Sequence, residues 1–247
     1  MDLGYLFAAI FGAISGSYAT LFIYRIPIEE SCFGRYFGPK SRCPNCNKII
    51  RTRELIQIIN WLFTRGKCVN CKILIPKRYL ITEILSVTLY LFCYHKYGFS
   101  EEFILFSLLM SSIIVLVVTE WNFRKFYDPI LYVILTLSLV IMVLEDGQII
   151  DLLFYIAIAI FLSAIFYQFL KSKFFASKIE ELQILQYTKF LIICSILLTF
   201  NWFLYYFILI LIFLSLTSFL YKRLLNKDIY IGFYMIALLL ITLFVSK

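Results

Sequence analysis

Four cysteines and a few isolated carboxylates are the residues of this chain that could do chemistry. Cys43-Pro44-Asn45-Cys46 and Cys68-Val69-Asn70-Cys71 are two CxxC pairs with 21 residues between them. Folded back on each other, four thiolates at this spacing meet at one tetrahedral ion, the arrangement Zn²⁺ prefers in a structural site. Cys43, Cys46, Cys68 and Cys71 are therefore expected metal ligands, with Zn²⁺ as a structural cofactor. Cys93 and Cys194 lie in apolar runs and read as small buried hydrophobes, while Cys32 is either a fifth ligand or a bystander. Thiolates held by zinc belong on the reducing side of a membrane, because an oxidising compartment favours disulfides.

The carboxylates stand out by their surroundings. Glu83 lies about one turn into the second long apolar run, Glu120 ends the third beside Trp121, and Asp128 opens the fourth before Pro129. An ionisable group in an apolar setting is costly, so each is a functional candidate. Each also has a plainer account. Glu83 could reach back to the interface or pair with a loop arginine. Asp128 before Pro129 is an ordinary helix start, since Asp caps free amides and Pro suits the first turn. His95, beside Lys96 at a span end, reads as a solvated anchor.

The elements that must position these residues are membrane helices. Of 247 residues, 62% are hydrophobic and 15% charged, and the mean hydropathy is +0.90; a soluble domain is roughly half apolar and a quarter charged. The expected fold is all-α, a polytopic membrane bundle of about eight spans with a cytoplasmic zinc-binding loop. About 20 apolar residues cross the hydrocarbon, and the candidate runs are 4–24, 79–95, 103–119, 129–144, 152–170, 187–200, 202–220 and 229–246. The sixth and seventh come from one uncharged stretch, Phe190 to Tyr221, divided at Asn201-Trp202 because a polar residue beside an interfacial aromatic suits a link. The first run follows only Met1-Asp2 without a basic flank and reads as a permanent span. Domain organisation follows: 1–26 as the first span, 27–78 as the zinc loop, 79–247 as the remaining bundle.

Orientation follows from the basic residues. With the first loop inside, segments 25–78, 120–128, 171–189 and 221–228 hold 21 of the 23 Lys and Arg. The positive-inside rule then puts the cysteine loop in the cytosol and both termini outside, in agreement with the thiolate argument. Loop 27–78 has 11 basic and 3 acidic residues. That excess is a topology signal with attraction to anionic lipid, or a surface for a protein partner. No glycine-rich phosphate or nucleotide loop is present, and no nucleic-acid partner is expected.

The first span contains Gly12 and Gly16, spaced to let another helix approach closely. The segment Gly12-Ala13-Ile14-Ser15-Gly16-Ser17-Tyr18-Ala19-Thr20-Leu21-Phe22-Ile23-Tyr24-Arg25-Ile26-Pro27 resembles the opening of the prepilin leader peptidases, G-x-x-x-G-S-(F/Y)-x-N-V-x-I-Y-R-x-P, with Thr20 in place of Asn. The resemblance continues through Ser41-Arg42-Cys43-Pro44 to Cys46, through Asn60-Trp61-Leu62-Phe63, Arg65-Gly66-Lys67-Cys68 to Cys71, and through Arg78-Tyr79-Leu80 to Glu83. It covers about the first 85 residues.

What the resemblance implies reaches further. The family places one catalytic Asp at the end of the third span, eight residues before the Asp of a Pro-Asp pair. Glu120 stands eight residues before Asp128, with the Pro following instead of preceding. The second catalytic Asp belongs to a G-x-G-D-x-K-(L/I) motif at the cytoplasmic start of the sixth span. The best local match is Lys178-Ile179-Glu180-Glu181-Leu182-Gln183-Ile184-Leu185, with Glu181 at the Asp position, Gln183 in place of the Lys and both glycines absent. The resemblance thus implies Glu120 and Glu181 as the catalytic pair, supported by Asp128, Glu83 and Glu180. Asp228 to Phe233 resembles the family's Pro-Phe-Gly-Pro at the last span, without either proline.

Two acids sharing one proton across a water supply a base and an acid from one residue type. The implied activity is cleavage of type IV prepilin or pseudopilin precursors at the cytoplasmic face of a bacterial inner membrane. N-methylation of the new N-terminus, using S-adenosylmethionine, is the implied second activity. The alternative is a homologue that does not cleave, and that methylates, or binds precursors or a type II secretion assembly through its zinc loop. An active pair requires the two carboxylates to face each other within several Å; a scaffold lets them point apart.

Overall fold

The structure, a computed structural model, describes residues 2–32, 40–43, 45–50, 57–144, 149–171, 181–198, 200–224 and 231–246. Its described elements are α1 (Leu3–Arg25), a 3-10 turn (Ile26–Ile28), α2 (Gln57–Thr64), α3 (Lys77–Tyr97), α4 (Glu101–Phe123), α5 (Asp128–Leu144), α6 (Ile149–Leu170), α7 (Glu181–Leu197), α8 (Phe200–Leu224) and α9 (Ile231–Ser246). No strand occurs among the described residues, only isolated bridges. All helices except α2 follow the eight expected apolar runs in order. Leu3–Ile28 and Glu101–Phe123 are long and apolar enough to cross a membrane, and α5, α6, α8 and α9 contain shorter apolar stretches.

One expected boundary moves. The sequence places the sixth run at 187–200 and its link at Asn201-Trp202, whereas α7 starts at Glu181 and ends at Leu197. Leu198 N–H donates to the Cys194 carbonyl at 3.1 Å to close the last turn, and Asn201 and Trp202 lie in the first turn of α8. The first amides of a helix have no intrahelical acceptor, so a polar residue is well tolerated there. The Asn–Trp pair marks a helix start.

The described residues form two compact units, Met1–Val115 and Leu116–Lys247. In the first, Asp2 Oδ1 caps α1 by accepting Gly4 N–H at 3.1 Å. Gly4, Ala8, Gly12 and Gly16 form a buried stripe at four-residue spacing. A Cβ on Gly12 would stand 2.7 Å from Val87 Cα, and one on Gly16 2.8 Å from Glu83 Cα. The backbones of α1 and α3 therefore touch along this stripe, which only residues without a side chain allow. Ser15 Oγ and Ser111 Oγ, 2.7 Å apart, add a polar tie to α4.

The second unit is built around α7, whose Tyr187, Phe190, Leu191 and Cys194 are buried. Phe126, wholly buried, meets Tyr187 and Phe190 edge to face, with ring centroids 5.1 and 5.2 Å away. Tyr206 of α8 ties the helices together: its hydroxyl donates to the Met235 carbonyl at 3.0 Å and lies 3.6 Å from Cys194 Sγ.

Candidate functional site

Two short knuckles carry the cysteines, and they repeat one backbone pattern. In the first, Asn47 N–H donates to the Cys43 carbonyl (2.9 Å) and Cys43 N–H to the Lys48 carbonyl (3.0 Å). In the second, Lys72 N–H donates to the Cys68 carbonyl (3.0 Å) and Cys68 N–H to the Ile73 carbonyl (2.9 Å). Bridges Arg42–Ile49 and Lys67–Leu74 close both, and the residue after each second cysteine, Asn47 or Lys72, has positive φ (53° and 59°). The two knuckles are thus a short local duplication, C-x-N-C in sequence.

The ligand atoms of Cys43, Cys46, Cys68 and Cys71 all lie within 4.8 Å of one another. Four sulfurs about 2.3 Å from a tetrahedral centre are about 3.8 Å apart, and Cys43 Sγ and Cys71 Sγ are 3.8 Å apart. The donor set fits Zn²⁺. Asparagines of the two knuckles are exchanged: the Asn70 side chain hydrogen-bonds Cys46, and the Asn45 side chain hydrogen-bonds Cys71. Lys48 Nζ donates to Asn70 Oδ1 at 3.0 Å, which turns the Asn70 amide nitrogen toward the sulfur. Burial pushes the Cys43 thiol up to about 11. The Ile73 amide, then Asn45, bring Cys71 down to about 6.

Glu120 is fully buried near the end of α4. Its Oε1 accepts Tyr187 Oη at 2.9 Å and Gly232 N–H at 3.2 Å, while its Oε2 is buried without a hydrogen-bond partner among the described residues. Gly232 is the second residue of α9, so the carboxyl meets one of that helix's free amides. The fit is close: a Cβ on Gly232 would lie 2.6 Å from Phe126 Cε1 and 2.7 Å from Glu120 Cδ. Three segments, the end of α4, the middle of α7 and the start of α9, thus converge on one carboxyl.

The other expected carboxylates lie elsewhere. Glu181 is the first residue of α7, with a side chain 72% exposed. Its Oε1 accepts Lys171 Nζ at 3.0 Å and Tyr167 Oη at 3.1 Å, so the described contacts of Glu120 and Glu181 share no partner. Asp128, at the start of α5, pairs with Lys189 Nζ at 2.9 Å. Glu83, fully buried, accepts Ile58 N–H of α2 at 2.8 Å and so caps that helix from α3. Glu180 and Pro44 lie outside the described residues.

Tyr187, Lys189 and Gly232 are the site residues that sequence reasoning did not single out as site residues. The signal available for Lys189 was a lone cation inside an apolar run. Tyr187, one of 18 tyrosines, could be reached only through Lys189, two residues further on.

Comparison with known proteins agrees with the first part of the chain. Residues 10–97 match the family model described as the bacterial peptidase A24 N-terminal domain. A prepilin leader peptidase/N-methyltransferase of Myxococcus xanthus is 30% identical over 111 residues, covering 45% of this chain and 32% of the relative. One of Stutzerimonas stutzeri is 29% identical over 155 residues, covering 55% and 54%. One of Bacillus subtilis is 32% identical over 122 residues, covering 49% and 48%. The chain matches about half or less of the length of these relatives. No solved structure matches. The family-model match ends ahead of α4 and includes neither Glu120 nor Tyr187.

Proposed function

We propose, on the match of residues 10–97 to the bacterial peptidase A24 N-terminal domain, that this chain is a multi-pass inner-membrane protein that processes or binds type IV prepilin-like or pseudopilin precursors. The names of its relatives support a prepilin-processing role. The observation that carries the proposal to a site is Glu120, a buried carboxyl at the end of an apolar helix, with one oxygen still unpartnered. The proposed topology keeps loop 27–78 as a zinc-clipped domain in the cytosol with both termini outside. Glu120 then lies at a cytoplasmic helix end, the depth of a junction between a basic leader and an apolar pilin helix.

Zn²⁺ would be held by Cys43, Cys46, Cys68 and Cys71, and its chemistry is structural: it clips two knuckles that have little apolar core of their own. S-adenosylmethionine is proposed only on the resemblance and on the methyltransferase part of the relatives' names, and no residue is assigned to it.

Two finer readings follow. In the cleaving form, Glu181 leaves Lys171 and supplies the second acid to Glu120. In the other, the chain binds or methylates precursors without cutting them. The position of Glu181 favours the second: it is solvent-exposed and already engaged by Lys171 and Tyr167. Glu carries one more methylene than the Asp of the family, and misplacement of about 1 Å can cost about 10²-fold in rate.

The test uses the full-length protein in detergent with a prepilin-type precursor bearing a photocross-linker at the leader junction. Cross-linking with cleavage that is lost in both Glu120→Gln and Glu181→Gln establishes the di-glutamate peptidase. Cross-linking without cleavage establishes the second reading. Neither, across several precursors, overturns the proposal.

A further inference from the structure

Resting on the reading of Glu120 as the central acid, we infer that Tyr187 is the residue Glu120 works with, standing where the resemblance requires a second acid, and that Glu181 lies outside the site. The geometry comes first. Tyr187 Oη donates to Glu120 Oε1 at 2.9 Å, and both side chains are buried. The ring of Tyr187 is held edge-on by Phe126, with centroids 5.1 Å apart at 89°. The same Phe126 would meet any side chain placed on Gly232, so α9 is packed against both partners.

A second contact agrees with the same rotation of α7. Lys189 Nζ meets Asp128 Oδ1 at 2.9 Å and ties α7 to α5. Two residues on a helix point about 200° apart, so anchoring Lys189 on α5 turns Tyr187 the other way, toward Glu120. Glu181 is six residues earlier, about 9 Å along the axis and about 120° around it from Tyr187. It cannot take the place of Tyr187 without α7 sliding by more than one turn and giving up Asp128.

The sequence supports this register. Against G-x-G-D-x-K-(L/I), the stretch Ile184-Leu185-Gln186-Tyr187-Thr188-Lys189-Phe190 keeps the lysine at its place and puts Tyr187 at the acid. The alternative register ending at Ile184 keeps an acid in Glu181 but loses the lysine to Gln183. The structure favours the first, because its tyrosine reaches the Glu120 carboxyl and its lysine the Asp128 carboxyl, whereas in the other register Gln183 donates to the Arg124 carbonyl and Glu181 pairs with Lys171.

The consequence is chemical. A phenol titrates near 10 in its ordinary state, so at neutral pH it donates a hydrogen bond and cannot supply the second carboxylate of a two-acid hydrolase. The site holds one carboxyl, fixed on Oε1 by Tyr187 and Gly232, with Oε2 buried and without a hydrogen-bond partner among the described residues. Tyr187 acts as a positioning residue that fixes the orientation of the Glu120 carboxyl.

The pairing can be read without any precursor, so its failure is separable from failure of the prepilin reading. The carboxyl stretching band of Glu120 is isolated as the infrared difference between the full chain and its Glu120→Gln variant, in lipid nanodiscs. Tyr187→Phe, which removes one hydroxyl, is expected to shift that band, and Glu181→Gln to leave it unchanged. An unchanged Tm and unchanged protease resistance of α7 show that each variant is folded. A band that ignores Tyr187→Phe, or that moves as far in Glu181→Gln, overturns the pairing. Precursor cleavage that survives Tyr187→Phe but is lost in Glu181→Gln overturns it as well.

Discussion

Glu120 Oε1 and Tyr187 Oη, 67 residues apart in the chain, are 2.9 Å apart in the structure, and both side chains are buried. This contact decides which part of α7 faces the acid of α4. Glu120 and Glu83 also share a device: each is a fully buried carboxyl that accepts a backbone amide from the start of another helix, α9 or α2. The device satisfies a helix-end donor, and Glu120 keeps one oxygen without a hydrogen-bond partner among the described residues.

Gly232 is the most sensitive position in that site. A methyl there would press on Phe126 and on the Glu120 carboxyl carbon at 2.6 and 2.7 Å. Gly232→Ala is expected to cost about 1–3 kcal/mol by overpacking, seen as a lowered Tm in detergent. It should also weaken precursor cross-linking. An unchanged Tm would mean that α9 is free to move away from Glu120.

The α1–α3 contact predicts a different effect at Gly16. A Cβ there would lie 2.8 Å from Glu83 Cα and 3.1 Å from Glu83 Cγ, so Gly16→Ala should displace the carboxylate that holds Ile58. Loss of a helix cap costs roughly 0.5–2 kcal/mol. The expected readout is faster proteolysis at α2, reproduced by Glu83→Ala. If Glu83→Ala leaves α2 as resistant as before, the cap does not hold that helix.

Removing zinc tests the knuckles. Replacing Cys43 and Cys46 by Ser, or adding a strong chelator, should release the metal and make the loop protease-sensitive, because binding and folding of such a module are one event. Asn45→Ala and Asn70→Ala should each weaken zinc affinity by about 10–100-fold, the usual effect of removing a group that orients a ligand. Competition with a fluorescent chelator measures this. Full metal content and resistance in the double Cys variant would refute the zinc assignment.

The Lys171–Glu181 pair predicts a pH response. Lys171, with help from Tyr167, holds the Glu181 carboxyl below its ordinary value, and Glu181 holds Lys171 above its own. The contact is therefore complete at neutral pH, is lost in acid as pH falls through the depressed Glu181 value, and is lost in alkali as Lys171 deprotonates. Carbon NMR of labelled glutamates should show the Glu181 midpoint moving up in Lys171→Met. Both groups are exposed, so the shift should shrink in high salt. A midpoint indifferent to Lys171→Met would mean that Glu181 has another partner.

Spacing and composition by themselves determined the local features. Two CxxC pairs announce a four-sulfur site because ligand spacing is a property of the chain, and apolar runs announce helices because each needs only its own residues. Gly12 and Gly16 likewise foretold a close helix contact, since the absence of a side chain is written in the sequence. The partner of Glu120 could not be read this way. Between Glu181 and Tyr187 the residue type pointed to the carboxylate. The choice depended on the rotation and axial position of α7, which follow from its buried face and agree with Lys189 on Asp128 of α5 and Tyr187 against Phe126 of the α4–α5 link. A one-dimensional motif search weighs chemical type first. Tertiary packing selects by direction, and it turned a tyrosine toward the acid of α4 and left the glutamate facing solvent.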